Sequence, residues 1–240
     1  MAPGFGERPS PGCGREDEFC LDLHVHSNCS LDGLIPPAEL VRLAVLRGLR
    51  GISLNDHNSV RGLRTAEEAA RKVPGFILVP GIEISSRDGH MLALGVREKL
   101  RKGLSAEETF DAIVSAGGLP VATHPYRSFN GLGEDIVRRL GFPAIEVINA
   151  RSPRYKNARS LRLNAELKRG ITAGSDCHRP PELGRAFTIV PGEPKGMEEV
   201  LELIRRKRSW AGGRSATLRE IASHTSKIGT DLLLRGGRRI

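Results

Sequence analysis

The sequence predicts an α/β fold, a single domain closed into a barrel. Short apolar runs alternate with helical stretches, which indicates parallel β-α-β units, and about seven such units in succession favour a closed barrel over an open sheet. The length of 240 residues is usual for one such barrel. A doubly wound open sheet is the alternative, but the chain has neither a GxGxxG motif after its first strand nor a P-loop motif.

The first part of the chain predicts two strand-helix units. Residues 1–18 are rich in glycine, proline and charge and are expected to be a disordered leader. The first strand is predicted at Phe19–Val25, and the helix after it begins at Pro36 and carries one apolar stripe. GISLN at 51–55 is the second strand, and a charged helix follows over about Val60–Lys72.

The middle of the chain predicts a hairpin and then a return to the strand-helix pattern. FILVPGIEIS at 76–85 is the third strand, and GHMLALGV at 89–96 is expected to pair with it. Ser105 and Glu108 have the spacing of a capping box before the helix TFDAIVSAGG, and LPVATHP is the next strand.

Three more pairs complete the prediction. They are GEDIVRRLG with PAIEVINA, RYKNARSLRLNAELKRG with ITAGSD, and AFTIV with MEEVLELIRRKR. The barrel domain is therefore expected over residues 19–212. Residues 213–240 form a C-terminal extension, in which TLREIASHTSKIGTDLLL is compatible with one more helix.

Composition narrows the class of protein. Hydrophobic residues make up 39% of the chain and aromatics 4%, so the core is expected to be aliphatic. No segment resembles a membrane span or a signal peptide, which predicts a cytoplasmic protein with no membrane partner. The net charge of +9 favours anionic partners, phosphorylated metabolites or nucleic acid, although few aromatics argue against an extensive base-stacking platform. The cysteines show no CxxC pair, so free thiols are expected at Cys13, Cys20, Cys29 and Cys177.

Histidines mark the functional end of the predicted barrel. Six of the seven lie at or near predicted strand ends, and all of these ligand positions are expected at carboxyl ends of strands, where barrel enzymes carry their active sites: His24, His26, His57, His90, His124 and His178. Residues two apart on a strand point to the same face, so the HVH and DCH segments each present two donors side by side. Glu83 and Asp32 add carboxylates to a set that is typical of metal ligands.

The donor set predicts divalent cations and hydrolysis. Mixed imidazoles and carboxylates suit Zn, Mn or Fe, and the absence of a thiolate set argues against structural zinc. The donors exceed what one ion can use, so two or three ions are expected, with Glu83 or Asp176 as a bridge. Metal-bound hydroxide would then be the nucleophile, and the ions would stabilise charge on phosphoryl oxygens.

In order and spacing these motifs resemble the PHP (polymerase and histidinol phosphatase) family of metal-dependent phosphoesterases. DLHVHS, SLDG, NDH, GIEIS followed by GH, ATHPY and GSDCH are similar to successive motifs of that family, over about residues 22–203. The resemblance implies a distorted (β/α)7 TIM-like barrel with a trinuclear metal site. It also implies that Asp176, Glu83 and His178 are catalytic through the metal-bound hydroxide.

The resemblance also implies how the ligands divide. His24 and His26 would hold one ion with Glu83 and Asp176. Asp32, His57 and His178 would hold a second ion, and His90 and His124 would hold the third and share Glu83. Asp56 resembles the acidic residue that orients an imidazole from behind the ligands in this family. Glu146 is interpreted as support for the core and is left out of the ligand set.

Three arginines are candidates for binding the substrate phosphate, because a guanidinium binds phosphate in a bidentate manner. Arg127, Arg151 and Arg179 each follow a predicted strand end or the last ligand. Two features depart from the family pattern. NDH has Asn55 where threonine is usual, and only 33 residues separate His90 from His124, which leaves no room for the inserted cap domain of larger members. We therefore expect an open barrel mouth.

The leading hypothesis is a metal-dependent phosphoesterase. Its expected substrate is a phosphomonoester, either a nucleotide or a small phosphorylated metabolite, or the terminal phosphodiester of a short oligonucleotide. One alternative is a non-catalytic barrel subunit that binds RNA, which the retained metal-type residues disfavour. A second is an amidohydrolase-like enzyme, disfavoured because no lysine lies at a predicted strand end.

Overall fold

One sheet curls into a nearly closed barrel in the computed structural model of the chain, which describes residues 17–217 and 220–221. Its strands within those residues are β1 Glu18–Val25, β2 Gly51–Leu54, β3 Ile77–Ser85, β4 His90–Leu94, β5 Leu119–Ala122, β6 Ala144–Asn149, β7 Gly170–Gly174, β8 Ala186–Pro191 and β9 Trp210–Gly213. The α-helices are α1 Pro37–Leu46, α2 Leu63–Ala70, α3 Ala106–Ser115, α4 Glu134–Leu140, α5 Arg154–Leu167 and α6 Met197–Arg205. The predicted α/β barrel is confirmed.

The expected parallel β-α-β pattern holds for six of the nine described strands and is wrong for β8, while β4 belongs to the predicted hairpin and β9 was not predicted. β1, β2 and β3 are parallel to one another, as are β5, β6 and β7, but β4 is antiparallel to both its neighbours. β8 is antiparallel to β1, and β9 to β8. Residues 86–89 alone join β3 to β4, and so short a connection allows only a hairpin. The predicted hairpin is therefore confirmed, and it places the start of β4 at the rim formed by the carboxyl ends of its neighbours.

The barrel closes where the chain after β7 meets β1. Val25 and Cys177 form a parallel bridge, and the backbone N–H of Asp176 donates to the carbonyl of His24 at 2.8 Å. Gly174 allows this approach, since a Cβ at that position would lie 2.3 Å from the Cβ of His24. The two segments with the same HxH-type spacing are therefore neighbours across the closure.

A helix closes the other end of the barrel. Val200, Leu201 and Ile204 of α6 pack with inward-facing residues of β1, among them Phe19 and Leu21, in one buried cluster. The two other apolar clusters involve side chains of α1 and α2 in one case and of α3, α4 and α5 in the other. The interior is thus apolar at the α6 end.

The structure describes the predicted capping box but not the predicted leader. The capping box is confirmed: Ser105 Oγ accepts from the Glu108 N–H at 3.1 Å, and Glu108 Oε2 accepts from the Ser105 N–H at 2.8 Å. The leader and most of the C-terminal extension, including its possible helix, lie outside the described residues. The domain boundaries therefore stay a prediction.

Two further expectations can be compared with the structure. The described helices are all too short or too polar to cross a bilayer. The expected free thiols are confirmed at Cys29 and Cys177, but Cys20 is disulfide-bonded, so the expectation is wrong there. The spacing of cysteines along the chain does not show which of them approach in space, and Cys13 lies outside the described residues.

Candidate metal centre

The two histidines of β1 reach the barrel interior through a break in the strand's alternation. The pairing of β1 with β2 is irregular between Asp22 and Val25. Before that bulge Leu21 and Leu23 face the inner cluster, whereas Val25 packs in the outer cluster with α1. A bulge re-aims the side chains that follow it, so His24 and His26 point inward, where both are fully buried.

Glu83, near the end of β3, lies at the centre of the histidines. Its Oε2 is 3.5 Å from His24 Nε2 and 3.3 Å from His26 Nε2. The same oxygen is 3.1 Å from His57 Nδ1. Its Oε1 is 2.9 Å from His90 Nδ1 and 3.2 Å from His124 Nε2. This carboxylate alone therefore touches donors from all three predicted ligand groups.

The first predicted group is brought together. Asp176 Oδ1 lies 3.4 Å from His26 Nε2 and 3.8 Å from His24 Nε2, opposite Glu83. The Nε2 atoms of His24 and His26 are 3.1 Å apart. Asp176 adopts a φ of 53°, a left-handed conformation that an L-residue rarely takes and that is concentrated at functional sites.

The second predicted group is also assembled. Asp32 Oδ2 lies 2.8 Å from His178 Nε2 and 3.7 Å from His57 Nε2. The ring of His26 lies between the two imidazoles, with centroids 4.5 Å from His57 and 4.4 Å from His178. Donor atoms of His26, His57 and His178 all lie within 4.8 Å of one another.

The third predicted group faces the other side of Glu83. His124 follows β5, and His90 is the first residue of β4 instead of following a strand. The expectation that every ligand lies at a carboxyl end is therefore wrong for His90, although the antiparallel direction of β4 brings it to the same rim. His90, Glu83 and His57 form a further group of donors within 4.8 Å.

Electrostatics divide the imidazoles into two kinds. Burial lowers the pKa of His57 to about 3 and that of His124 to about 4, so both rings are neutral and keep a lone pair. Burial opposes the charge on His26 too, but hydrogen bonds to Asp176 and Glu83 outweigh it and raise its pKa to about 9. Burial would raise the pKa of Glu83, but the imidazoles packed around it, and the hydrogen bond from His124 among them, hold it well below its ordinary value.

The donor set fits divalent cations. Among the predicted ligands, three buried atoms form no hydrogen bond within the described residues: Asp32 Oδ1, His124 Nδ1, and His57 Nδ1, which lies 3.1 Å from Glu83 Oε2. Unpartnered buried acceptors are costly unless something else satisfies them. Two anionic carboxylates are packed among imidazoles, two of which burial keeps neutral, and this is the chemistry of a multinuclear Zn, Mn or Fe site. The ligand assignments themselves stay a prediction.

Glu146 is a contributor that the sequence interpretation left out. Its Oε1 lies 2.8 Å from His24 Nδ1, and its Oε2 accepts from the backbone N–H of His124 at 2.8 Å and from Asn149 Nδ2 at 3.1 Å. A carboxylate behind a ligating imidazole fixes its tautomer and orientation. The one signal in the sequence was an acidic residue inside the apolar strand AIEVIN.

Asp56 supports the site indirectly. Its carboxylate accepts from Ser27 Oγ at 2.6 Å and from Ser30 Oγ at 3.0 Å, and touches no imidazole in the described structure. Ser30 Oγ in turn accepts from the backbone N–H of His57 at 2.8 Å. Asp56 therefore holds the loop after β1 in place, and it orients ligands only through Ser30.

The three candidate arginines make different contacts. Arg127 donates to Asp176 Oδ2 at 2.6 Å and to Asn149 Oδ1 at 2.8 Å. The guanidinium of Arg151 lies 2.7 Å from His178 Nδ1 and 3.6 Å from Asp176 Oδ1. Both side chains keep about a fifth of their surface exposed, at 22% and 19%. The side chain of Arg179 forms no hydrogen bond or ion pair within residues 17–217.

The connection between β4 and β5 contains no inserted cap domain. Residues 95–118 connect β4 to β5 and contain α3 as their one helix, so no additional domain covers the rim in the described part of the chain.

Comparisons with known proteins agree with the motifs. The model of the PHP domain matches residues 22–113, and that of a PHP-associated region matches residues 154–209. An uncharacterised protein of Methanocaldococcus jannaschii is 31% identical over 139 residues, which are 54% of this chain and 81% of that protein. A 5′-3′ exoribonuclease of Haemophilus influenzae is 45% identical over 65 residues, 27% of this chain and 23% of the enzyme. The chain thus spans less than a quarter of that enzyme's length.

A solved structure shows the same fold. It is a two-domain protein of Bacteroides vulgatus described as containing a predicted PHP-like metal-dependent phosphoesterase. The TM-score is 0.69 at 20% identity, and the match covers 89% of this chain and 70% of that one.

Proposed function

The chain belongs to the PHP family of metal-dependent phosphoesterases, and from that premise we propose that it hydrolyses phosphoesters at the rim of its barrel. The proposed substrate is a phosphomonoester, either a nucleotide or a small phosphorylated metabolite, or the terminal phosphodiester of a short oligonucleotide. The observation that carries the proposal is the position of Glu83 within 3.5 Å of nitrogens from His24, His26, His57, His90 and His124.

Each proposed ligand has a defined task. Neutral rings such as His57 and His124 offer lone pairs, and Glu83 and Asp176 supply the negative charge that a cluster of cations needs. Two or three divalent ions bound here would provide an acidified water and neutralise charge on the phosphoryl oxygens. Glu146 keeps the imidazole of His24 oriented, because its carboxylate accepts a hydrogen bond from Nδ1.

The substrate phosphate is proposed to lie against Arg127 and Arg151. Both guanidiniums reach Asp176 and retain exposed surface, so each can turn toward an incoming anion. Arg179 is the weaker candidate, since its side chain makes no polar contact with the centre among the described residues. A mouth with no cap domain between β4 and β5 would admit a phosphate at the end of a longer molecule, as the name of the exoribonuclease relative suggests for that enzyme.

The two alternative functions, an RNA-binding subunit and an amidohydrolase-like enzyme, require different residues at the centre. A non-catalytic RNA-binding subunit would need none of the donors around Glu83, so the buried Nδ1 atoms of His57 and His124, which form no hydrogen bond among the described residues, argue against it. An amidohydrolase-like enzyme often uses a lysine at a strand end to bridge its metals, and in the described barrel no lysine lies near Glu83.

The test combines metal analysis with turnover. The purified protein is expected to contain more than one equivalent of Zn, Mn or Fe by mass spectrometry and to hydrolyse p-nitrophenyl phosphate or bis-p-nitrophenyl phosphate. EDTA and Asp176→Ala should each abolish turnover. Undiminished hydrolysis in EDTA, or RNA binding without hydrolysis of either ester, would reject the proposal.

A further inference from the structure

The rim around the candidate centre carries exposed apolar side chains. Phe129 is 92% exposed and lies in the loop after β5, and Tyr155 is 64% exposed at the start of α5, which follows β6. Leu31 and Leu34, at 70% and 59% exposed, flank Asp32 after β1. Large apolar side chains are seldom left in solvent together without a partner to cover them.

Uncompensated positive charge lies beside the two aromatic rings. Several exposed arginines on the described surface pair with carboxylates, as in Arg42–Glu39, Arg50–Glu193, Arg97–Glu67, Arg139–Glu107 and Arg206–Glu202. On α5, by contrast, Arg154, Lys156 and Arg159 form no ion pair with any described carboxylate. The nearby acids Glu134 and Glu166 are both occupied by Arg138.

These cations are fixed close to the loop that reaches the centre. Lys156 Nζ donates to Ser128 Oγ at 2.6 Å, and the guanidinium of Arg159 lies 4.0 Å above the ring of Tyr126. Burial, together with the charges of Arg127 and Arg159, lowers the pKa of Lys156. Such crowding of like charges is relieved when an anion binds between them.

We propose that Phe129, Arg154, Tyr155, Lys156 and Arg159, here called the α5 face, bind single-stranded nucleic acid next to the ester held at the metal centre. The inference deepens the proposed function and rests on it, because it names the substrate as an oligonucleotide. Phosphates alternate with flat aromatic bases in a single strand, and on the α5 face Lys156 Nζ lies 5.9 Å from the centroid of the exposed Tyr155 ring and donates to Ser128, the residue before Phe129. In a duplex the bases are stacked on each other and cannot cover Phe129 or Tyr155.

The continuity of the α5 face with the centre supports this choice. Arg127, in the loop that carries Phe129, reaches Asp176, and Asn157 of α5 donates to the backbone carbonyl of Asn149 at 3.0 Å. Asn149 Nδ2 lies 3.2 Å from Asp176 Oδ2. The loop and the helix are therefore both anchored to residues of the centre, and a strand lying on them would lead to it. Two rings make a small stacking surface, which is consistent with the low aromatic content of the chain.

The binding test uses the metal-loaded protein and a fluorescein-labelled, phosphorothioate-linked single-stranded RNA 12-mer, followed by fluorescence anisotropy. Arg154→Ala/Lys156→Ala should raise the Kd. It should also make the slope of log K against log salt concentration less steep by about 1.4, roughly 0.7 for each phosphate that the variant no longer neutralises. Phe129→Ala and Tyr155→Ala should each raise the Kd roughly fivefold or more. The matched control is Arg71→Ala/Arg206→Ala, which removes the same charge from two exposed sites just beyond the ends of α2 and α6 and should change neither quantity.

Three results would overturn the proposal that the α5 face binds single-stranded nucleic acid. They are an equal loss of RNA affinity in the control variant, aromatic variants that bind RNA like the wild type, or a 12-bp duplex that binds as tightly as the single strand. Turnover of p-nitrophenyl phosphate by the wild type is measured alongside. If turnover is absent but binding depends on the α5 face, the proposed function fails and the nucleic-acid surface stands. If turnover is present but the variants bind normally, the α5 face alone fails.

Discussion

Glu146 Oε1 lies 2.8 Å from Nδ1 of His24, and its second oxygen accepts from the backbone N–H of His124. One buried carboxylate thus fixes a side chain of β1 and the loop after β5. Because His24 and His124 approach opposite oxygens of Glu83, Glu146 sets the geometry of two of the three ligand groups at once.

Glu146→Gln should therefore reduce metal affinity. The amide cannot accept from His24 Nδ1 and from the His124 N–H as the two carboxylate oxygens do, and loss of such a partner typically costs 10- to 100-fold in affinity or activity. Metal content after dialysis against a graded chelator measures the effect. Glu39→Gln, at an exposed site on α1, is the control. Equal metal retention in both variants would contradict the role given to Glu146.

Removal of metal should destabilise the fold. Cations that bind only the native state stabilise it by mass action, by about 2.7 kcal/mol when the free ion is at 100 times its Kd. Asp32 Oδ1 and His124 Nδ1, which form no hydrogen bond within the described residues, would be left without the ions proposed to satisfy them. We expect Tm to fall in EDTA and to recover on adding back one of Zn²⁺, Mn²⁺ or Fe²⁺, which identifies the preferred ion. An unchanged Tm would mean that the centre is not loaded.

The histidine pattern predicted which side chains come together at the rim. It could not predict the direction in which the side chains of β1 point, because that direction depends on a break in the strand's alternation. Phe19, Leu21 and Leu23 would share a face with Val25 in a regular strand. The bulge reverses the phase, and only the pairing with β2 reveals it. The sequence could predict His90 as a donor and the hairpin that contains it, but the expectation of ligands at carboxyl ends missed that an antiparallel β4 brings its first residue to the same rim.

Glu146 illustrates a second limit. A carboxylate in an apolar strand predicts either a structural or a functional partner, and that partner, His24, is 122 residues away in sequence. Similarly, the sequence gives no reason to prefer any one of the three candidate arginines. In the folded barrel Arg127 and Arg151 reach Asp176, whereas Arg179 does not. Long-range proximity is set by packing, which no local pattern encodes.

Arg127→Ala should lower kcat/KM on phosphoester substrates by about 10- to 100-fold, because a charge-assisted hydrogen bond to phosphate or carboxylate contributes about 1.5–3 kcal/mol. Arg179→Ala should have a smaller effect, since its side chain makes no polar contact with the centre within residues 17–217. Arg42→Ala, which removes an exposed arginine from α1, is the neutral control. A larger loss for Arg179→Ala than for Arg127→Ala would reverse the assignment of the phosphate site.

Gly174→Ala should disrupt both the barrel closure and the metal centre. A Cβ there would lie 2.3 Å from the Cβ and 2.7 Å from the backbone nitrogen of His24, and neither atom can yield without moving β1. Overpacking of this kind costs about 1–3 kcal/mol or more. Gly196→Ala is the matched control, because its extended backbone accepts any residue and the nearest atom, in the flexible side chain of Glu198, is 3.3 Å away. Urea unfolding and metal content together measure the effect: Gly174→Ala should lose stability and bound metal in parallel. Wild-type values for both would show that β1 and β7 do not approach as closely as the barrel requires.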